Sequence, residues 1–391
     1  MVKLLNKKLW FIARAAIRMS TGIYYGQDMD ASKQGVEVDY MEVATSGGEA
    51  AVTALIVGTT ESEGSNVIKG GGKNYCMVAF RGRNYDTDDY PNACCDDWWD
   101  TSCWDNSEKT CVKAMMEDIE EDMQDIRDST YSTSIWSGDD GSCRLMNDEL
   151  ASGFLEFNIH GSIQQDIQTC MEQCKTSNGG GSNEEDCDLI YTGHSQGGVY
   201  AQQLYIRLNA WAETNGYSPY VMTFGSSPPY SANSDCKRYL PPHDHFMQFV
   251  NLGGEYPDIT YDMATSVGLN GYGASHPTVG NVVVLSKDSD DSRSVYIQEN
   301  PATFDYDTLA DYQIDYDDDT DYYGFYLHTT DEYKGRIENI VNEILSSGGE
   351  GISEHGFTQV GMDCFHGDGT INQCAASESL ECSTKDECVS I

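Results

Sequence analysis

Basic residues are scarce in this chain of 391 residues: 23 Lys and Arg stand against 64 Asp and Glu, a formal net charge of −41. A surface of that sign repels phosphate backbones and anionic membrane faces, which excludes nucleic acid as a partner class. Long apolar runs are missing too. The longest clean stretches, such as Asn281 to Leu285 (NVVVL), fall far short of the roughly 20 residues a membrane-spanning helix needs. None of the 14 cysteines makes a CxxC pair, the nearest being Cys170 and Cys174, and no histidine doublet has metal-ligand spacing. So many thiols without a metal pattern point to disulfides and an oxidising compartment. A clean secretory signal is also lacking. After Lys3, Lys7 and Lys8 the apolar run LWFIA is cut by Arg14 and again by Arg18, where a signal wants about 7–15 unbroken apolar residues. Leu4 to Tyr25 instead reads as an amphipathic helix with Leu5, Leu9, Ile12, Ala16 and Met19 on one face. There is no internal repeat.

What is present is an alternation of short β-branched runs with helical patterns. The runs are Ala51–Gly58, Tyr75–Phe80, Asp188–Thr192, Tyr220–Phe224, His245–Asn251 and Asn281–Ser286; the helical patterns are Val112–Asp128, Phe157–Cys174, Gly197–Ala212 and Asp331–Ser346. Buried strands interleaved with helices imply an α/β fold, a mainly parallel sheet covered on both faces. Its site then belongs at the carboxyl ends of the strands. The expected organisation is one α/β domain over residues 1–350 and a small Cys-rich appendage over 351–391, which holds Cys364, Cys374, Cys382 and Cys388. Gly70–Gly72 and Asn178–Glu185 read as surface loops. Asp305–Tyr323, crowded with Asp and Tyr, matches no EF-hand spacing and reads as a solvated acidic loop rather than a calcium site.

Chemistry enters with Gly193-His194-Ser195-Gln196-Gly197, a GxSxG. Three fixed positions are a weak signal alone. Their setting is stronger: a strand precedes them, and a helix with Val199, Ala201, Leu204 and Leu208 inside follows, as a nucleophile elbow requires. Such a turn forces the serine into a strained conformation, and lifting Oγ above the sheet is a reason for the strain.

With these residues in place, the chain resembles the fungal-type (class 3) lipases of the α/β-hydrolase fold over roughly residues 75–345. The resemblance rests on YCMVAFRGR, Asp97-Trp98, Gly153-Phe154, TGHSQGG, Thr223-Phe224-Gly225-Ser226 and Phe249-Val250-Asn251, in that order. It implies a nucleophile at Ser195, followed along the chain by an acid and then a His. Of His243, His245, His276, His328, His355 and His366, the best placed is His328. It lies in FYLHTTDEYKGRI, just before a helix announced by the capping box Thr329-x-x-Glu332. The acid departs from the family pattern, because aligning Asn251–Pro257 puts Gly254 in its place. Asp258 is preferred, with Glu255, another acid or none as the alternatives. The oxyanion hole is expected from the backbone N–H groups of Gln196 and Arg83. Tyr85–Trp104 occupies the family's lid region, and Trp98, Trp99 and Trp104 read either as a lid surface or as packing beneath a loop.

The resemblance thus implies a secreted serine carboxylic ester hydrolase of the triacylglycerol lipase kind, with no metal or organic cofactor. Its substrate would be a neutral ester or lipid, met by transient contact with a lipid interface. A soluble feruloyl-type esterase is the rival enzyme, and a catalytically silent ligand-binding chain the rival of another class. Neither acyl length nor oligomeric state is encoded legibly.

Overall fold

The computed structural model of the chain describes residues 7–24, 37–45, 53–60, 74–82, 162–177, 187–227, 230–231, 243–253, 260–266, 274–275, 280–287, 294–299 and 327–346. In chain order these form helix α1 (Lys7–Gly22), strands β1 (Glu37–Thr45), β2 (Thr53–Thr60) and β3 (Asn74–Phe80), helix α2 (Ser162–Ser177), strand β4 (Cys187–His194), helix α3 (Gln196–Thr214) and strands β5 (Tyr220–Phe224), β6 (Tyr230–Ser231), β7 (Phe246–Gly253), β8 (Thr260–Tyr261), β9 (Ala274–Ser275), β10 (Asn281–Lys287) and β11 (Ser294–Glu299), then helix α4 (Thr330–Ser346). The expected Val112–Asp128 helix, the Tyr85–Trp104 segment, the Asp305–Tyr323 loop and the 351–391 tail lie outside the described residues.

One twisted sheet carries the fold, in the order β1-β2-β3-β4-β5-β7-β10-β11, with β8 returning alongside the end of β7. Its centre, β3-β4-β5-β7-β10, is parallel throughout. The outer pairings β1-β2, β2-β3 and β10-β11 are antiparallel. Every residue of β5 and β7 is buried, as continuous apolar runs such as YVMTF and FMQFV demand when helices cover both faces. This is the α/β-hydrolase architecture expected from the sequence. The six anticipated strands all form, within two or three residues of their expected ends. The edge strands β1 (EVDYMEVAT) and β11 (SVYIQE) were not anticipated. Both mix charged or polar residues with apolar ones, as an antiparallel edge allows, so neither reads as a continuous apolar run.

Helix α1 departs from the amphipathic expectation. Trp10, Ile12, Ala13, Ala16, Ile17, Met19 and Ser20 are fully buried, and from Leu9 to Tyr24 Arg18 alone is half-buried. The helix packs against α4 and the central strands β3, β4 and β5, so it has no free face to solvate. Trp10 meets Phe249 of β7 edge-on at 6.1 Å, Ser20 Oγ lies 3.1 Å from Thr192 Oγ1 of β4, and Arg18 Nε donates to Glu338 of α4 at 2.9 Å. The chain from Leu9 to Tyr24 is therefore part of the core.

The disulfides expected from the cysteine count are present among the described residues, and two of them staple the sheet itself: Cys76 of β3 to Cys170 of α2, and Cys174 of α2 to Cys187 of β4. Cys170 and Cys174 are one helical turn apart and share a face of α2. Cys76 and Cys187 point to one side of the sheet, since Asn74 aligns with Cys187 and Cys76 with Leu189. The unusual CxxxC spacing thus reads as two adjacent strands stitched to one helix. The sequence separations are 94 and 13, and closing such loops in the unfolded chain removes about 5 and about 3 kcal/mol of its entropic advantage. Reduction is therefore expected to lower the melting temperature by roughly 10 °C, with the Cys174→Ala/Cys187→Ala pair losing less than Cys76→Ala/Cys170→Ala. A calorimetric scan with and without a phosphine reductant checks this.

Candidate active site

Ser195 stands where β4 ends and α3 begins, at the carboxyl end of a central parallel strand. Its backbone has φ 56° and ψ −131°, the only positive φ of a non-glycine residue among those described. It occupies the N-cap of α3, but its hydroxyl makes no capping bond, so the side chain most suited to that duty is left for another. The flanking glycines are required by close approach. A Cβ on Gly193 would stand 2.2 Å from the Gly197 carbonyl oxygen, and one on Gly197 would stand 2.2 Å from that of Phe80. Both close contacts come from bending a strand straight into a helix beside β3. Ser195 N–H donates to Phe224 O at 2.9 Å, pinning the elbow to the end of β5.

The next two strand ends supply the other groups. Beyond β7 the chain returns as β8, and Asp262 follows directly, its N–H bonded to Asn251 O at 3.0 Å. Asp262 is fully buried. Its Oδ1 accepts from His328 Nδ1 at 2.8 Å and from Ala264 N–H at 2.9 Å, and its Oδ2 accepts from Tyr333 Oη at 2.5 Å. Burial pushes the Asp262 pKa up, but the positive charge available on His328 and the hydrogen bonds from His328 and Tyr333 outweigh it, and the net shift is downward. Tyr333 moves the opposite way, well above its ordinary value, through burial and then the charge of Asp262. It stays a phenol and a donor.

His328 sits at the head of α4, 7% exposed. Thr329 Oγ1 accepts from Glu332 N–H at 3.3 Å, which is half of the expected capping box. Glu332 does not reach back; its carboxylate instead holds Arg336 at 2.7 Å. Arg336 Nη1 in turn donates to the carbonyls of Leu252 and Leu285, clamping α4 across β7 and β10. Asn251 ties down the segment before His328, its Nδ2 donating to Leu327 O at 2.7 Å and its N–H to Tyr333 Oη at 3.0 Å.

Gly225, at the end of β5 with φ 54°, closes the site from below. A Cβ there would stand 2.3 Å from Asp262 Oδ2 and 3.0 Å from His328 Nδ1. The residue after Phe224 must therefore lack a side chain, which explains the TFGS run. The turn after β3 abuts the same place, where a Cβ on Gly82 would be 3.1 Å from Ser195 Cβ. Ser195 and Gln196 are both half-buried, so the serine end of the site is open to solvent while its acid end is sealed.

Of the residues expected from sequence, Ser195 and His328 come to the same end of the sheet, and Gln196 opens α3 beside them. The carboxylate on His328 Nδ1 is that of Asp262; Asp258, Glu255 and Arg83 lie outside the described residues. His243 and His245 form a 3₁₀ turn at the start of β7, the opposite end of that strand, where His245 stacks on Tyr220 at 4.2 Å. The sequence reading also passed over His194 and Tyr333. Both are buried; His194 could have been marked only by standing next to Ser195, and Tyr333, five positions beyond His328, has no such mark.

His194 is fully buried, and burial together with the neighbouring His328 lowers its pKa to about 3, against a smaller upward pull from Asp262. An unfolded His binds a proton below about 6.5, whereas His194 in the fold resists it down to about 3. Its contribution to stability is therefore complete above pH 6.5 and is lost as pH falls toward 3. Asp262, also shifted down, adds loss of the same sign at the acid end. Acidification meanwhile relieves the repulsion behind the −41 charge, so the informative quantity is a difference. Between pH 6.5 and 4.5 the stability of a His194→Gln variant is expected to change by about 1 kcal/mol per pH unit less steeply than that of the parent chain. Urea unfolding at stepped pH measures it.

No family model matches the chain, and no curated protein matches it in sequence. In structure the chain is similar to lipase II from Rhizopus niveus (12% identity, TM-score 0.42, covering 71% of this chain and 81% of that one). It is similar also to the Lip2 lipase of Yarrowia lipolytica (12%, TM-score 0.40, 71% and 80%) and to a mono- and diacylglycerol lipase from Aspergillus oryzae (12%, TM-score 0.40, 78% and 91%).

Proposed function

We propose that this chain is a serine carboxylic ester hydrolase working through an acyl-enzyme, with Ser195 as nucleophile, His328 as its general base and Asp262 as the acid that orients His328. One observation carries the proposal: a strained, uncapped serine on a strand–turn–helix shares the end of the sheet with a buried His–Asp pair. A serine hydroxyl is a poor nucleophile at neutral pH. Asp262 on Nδ1 fixes the His328 tautomer, so that Nε2 carries the lone pair that takes the Ser195 proton. Attack of Oγ on an ester carbonyl carbon then gives a tetrahedral oxyanion, stabilised by the N–H of Gln196 at the positive end of α3. The second N–H is assigned to Arg83. Collapse expels the alcohol, which takes its proton from His328, and water repeats the cycle to release the acid.

The substrate is taken as an uncharged ester of the acylglycerol kind, since a −41 surface repels anions. The disulfides favour an oxidising, secretory setting. Asp262 on His328 speaks against a silent ligand-binding chain, for which Gly254 at the family's acid position is one motive and Arg83 at its oxyanion position the other. The test combines p-nitrophenyl esters from short to long chain with a fluorophosphonate probe. Turnover of at least one ester, abolished as the probe adds once to the Ser195 peptide, is expected; an unlabelled Ser195 with no turnover on any ester sinks the proposal. Acceleration when the ester forms an interface marks a lipase, and its absence a soluble esterase.

A further inference from the structure

Between Gly193 and Ser195 the elbow motif leaves a position open to any residue, and this chain fills it with a histidine that is fully buried and bonded through both ring nitrogens. His194 Nε2 meets the carbonyl oxygen of His328. A carbonyl can only accept, so Nε2 carries the proton and Nδ1 is the lone-pair nitrogen. Tyr24 Oη, 2.9 Å from Nδ1, is therefore the donor. Tyr24 Oη also accepts from the backbone N–H of Gly82, in the turn after β3. A directed chain results: Gly82 N–H to Tyr24 Oη, Tyr24 O–H to His194 Nδ1, His194 Nε2–H to His328 C=O. The groups facing His194 are Tyr24 from the end of α1, Asp262 after β8, and His328 and Tyr333 at the head of α4. The His328 ring lies 4.5 Å away and that of Tyr333 6.0 Å away.

We infer that His194, held in one tautomer by Tyr24, is a positioning residue for the hydrolysis reaction, fixing the backbone of His328 and, through Tyr24 and Gly82, the turn on the oxyanion side. This rests on the serine hydrolase reading above. The network joins three segments far apart in sequence, Tyr24, Gly82 and His328, to the residue that precedes the nucleophile. A ring remaining neutral also leaves His328 as the one histidine of the pair that exchanges protons, and places no second positive charge beside the base. The order of the three links makes Tyr24, at the end of a helix in the core, part of the site without touching substrate.

Three variants separate positioning from mere filling. Tyr24→Phe keeps the ring volume but removes the donor to Nδ1 and the acceptor for Gly82. His194→Gln can keep the donor to the His328 carbonyl, and His194→Leu keeps neither. With each lost link worth roughly tenfold, about 1.4 kcal/mol, kcat on the best ester should fall about tenfold in His194→Gln, which loses one link. It should fall about a hundredfold in Tyr24→Phe and in His194→Leu, which each lose two. KM should stay within about twofold, and rates are to be counted per active site titrated by the fluorophosphonate so that misfolded protein drops out. In protein carrying ¹⁵N-labelled histidine, His194 should show the neutral Nε2–H tautomer throughout pH 5–9, and a mixture of tautomers in Tyr24→Phe. An active parent chain whose His194→Leu variant keeps kcat within about twofold overturns the inference. So does a His194 that titrates in that range or carries its proton on Nδ1. A parent chain with neither turnover nor labelling overturns the hydrolase reading instead.

Discussion

Replacing Asp262 by Asn should lower kcat/KM on any ester the chain hydrolyses by about four orders of magnitude, the scale seen when a triad His loses its tautomer. The two side chains have the same shape, so the argument concerns protons. Asp262 Oδ1 accepts from His328 Nδ1 and from Ala264 N–H, while Oδ2 accepts from Tyr333 Oη. An amide has one oxygen for these three donors. If the oxygen stays with Tyr333, the amide NH₂ faces His328 Nδ1, which must then accept, and Nε2 becomes a donor unable to take a proton from Ser195. If the amide flips, Tyr333 Oη faces a donor and must turn away. Either outcome leaves a buried group poorly satisfied, at about 1–3 kcal/mol of stability. The variant should therefore melt a few degrees lower and still fold. Asp258→Asn and Glu255→Gln are the necessary companions, each expected to keep kcat/KM within a few-fold of the parent. A ten-thousandfold loss in Asp258→Asn with Asp262→Asn nearly intact would move the acid back to the position preferred from sequence.

Why the sequence singles out Ser195 and His328 but not Asp262, the carboxylate that meets His328, lies in how each is built. Ser195 is marked by local chemistry, because glycines at two fixed offsets between a strand and a helix are needed wherever the backbone bends that sharply. His328 is marked by the helix it precedes, whose start is signalled by Thr329. Asp262 has no comparable local mark. Counting forward from Asn251 assumes that the chain leaves β7 directly, whereas the structure interposes an antiparallel return, Thr260 and Tyr261 pairing with Gly253 and Leu252, before Asp262 is delivered. Pairing over two residues is too short for an alternation pattern, so the sequence shows only an acid among several acids. The fold was more legible, because its parallel strands are apolar runs that only a doubly covered sheet explains. The burial of α1 was not. Amphipathicity describes a helix with one wet face, and nothing in KKLWFIARAAIRMSTG announces that α4 and three strands will cover it. Tyr333, buried against Asp262, was hidden in the same way, since it lies five positions along the chain from the histidine whose partner it holds.

Strain at Ser195 supports the last expectation, that Ser195→Gly abolishes hydrolysis and makes the protein more stable. At φ 56° and ψ −131° the residue lies outside the left-handed helical well, in territory that glycine enters freely and a residue with a Cβ does not. Such a conformation costs on the order of 1–3 kcal/mol, and glycine gives back roughly 0.5–1 kcal/mol of that through its freer unfolded chain. A net gain of about 1 kcal/mol remains. Among the described residues nothing else asks for the side chain, because Oγ does not cap α3 and the backbone bonds that hold the elbow, Ser195 N–H to Phe224 O and Gly198 N–H to Ser195 O, are indifferent to it. Ser195→Ala separates the two effects. It removes the nucleophile but keeps the Cβ and therefore the strain, so kcat should fall at least about a thousandfold, as for other triad nucleophiles, while the melting temperature hardly moves. In Ser195→Gly the same loss of turnover should come with a rise of about 1–2 °C, given the unfolding entropy of a domain of this size. Were Ser195→Gly to melt below the parent, the serine would be holding the turn together, and its conformation would be a structural requirement rather than a strain held for catalysis.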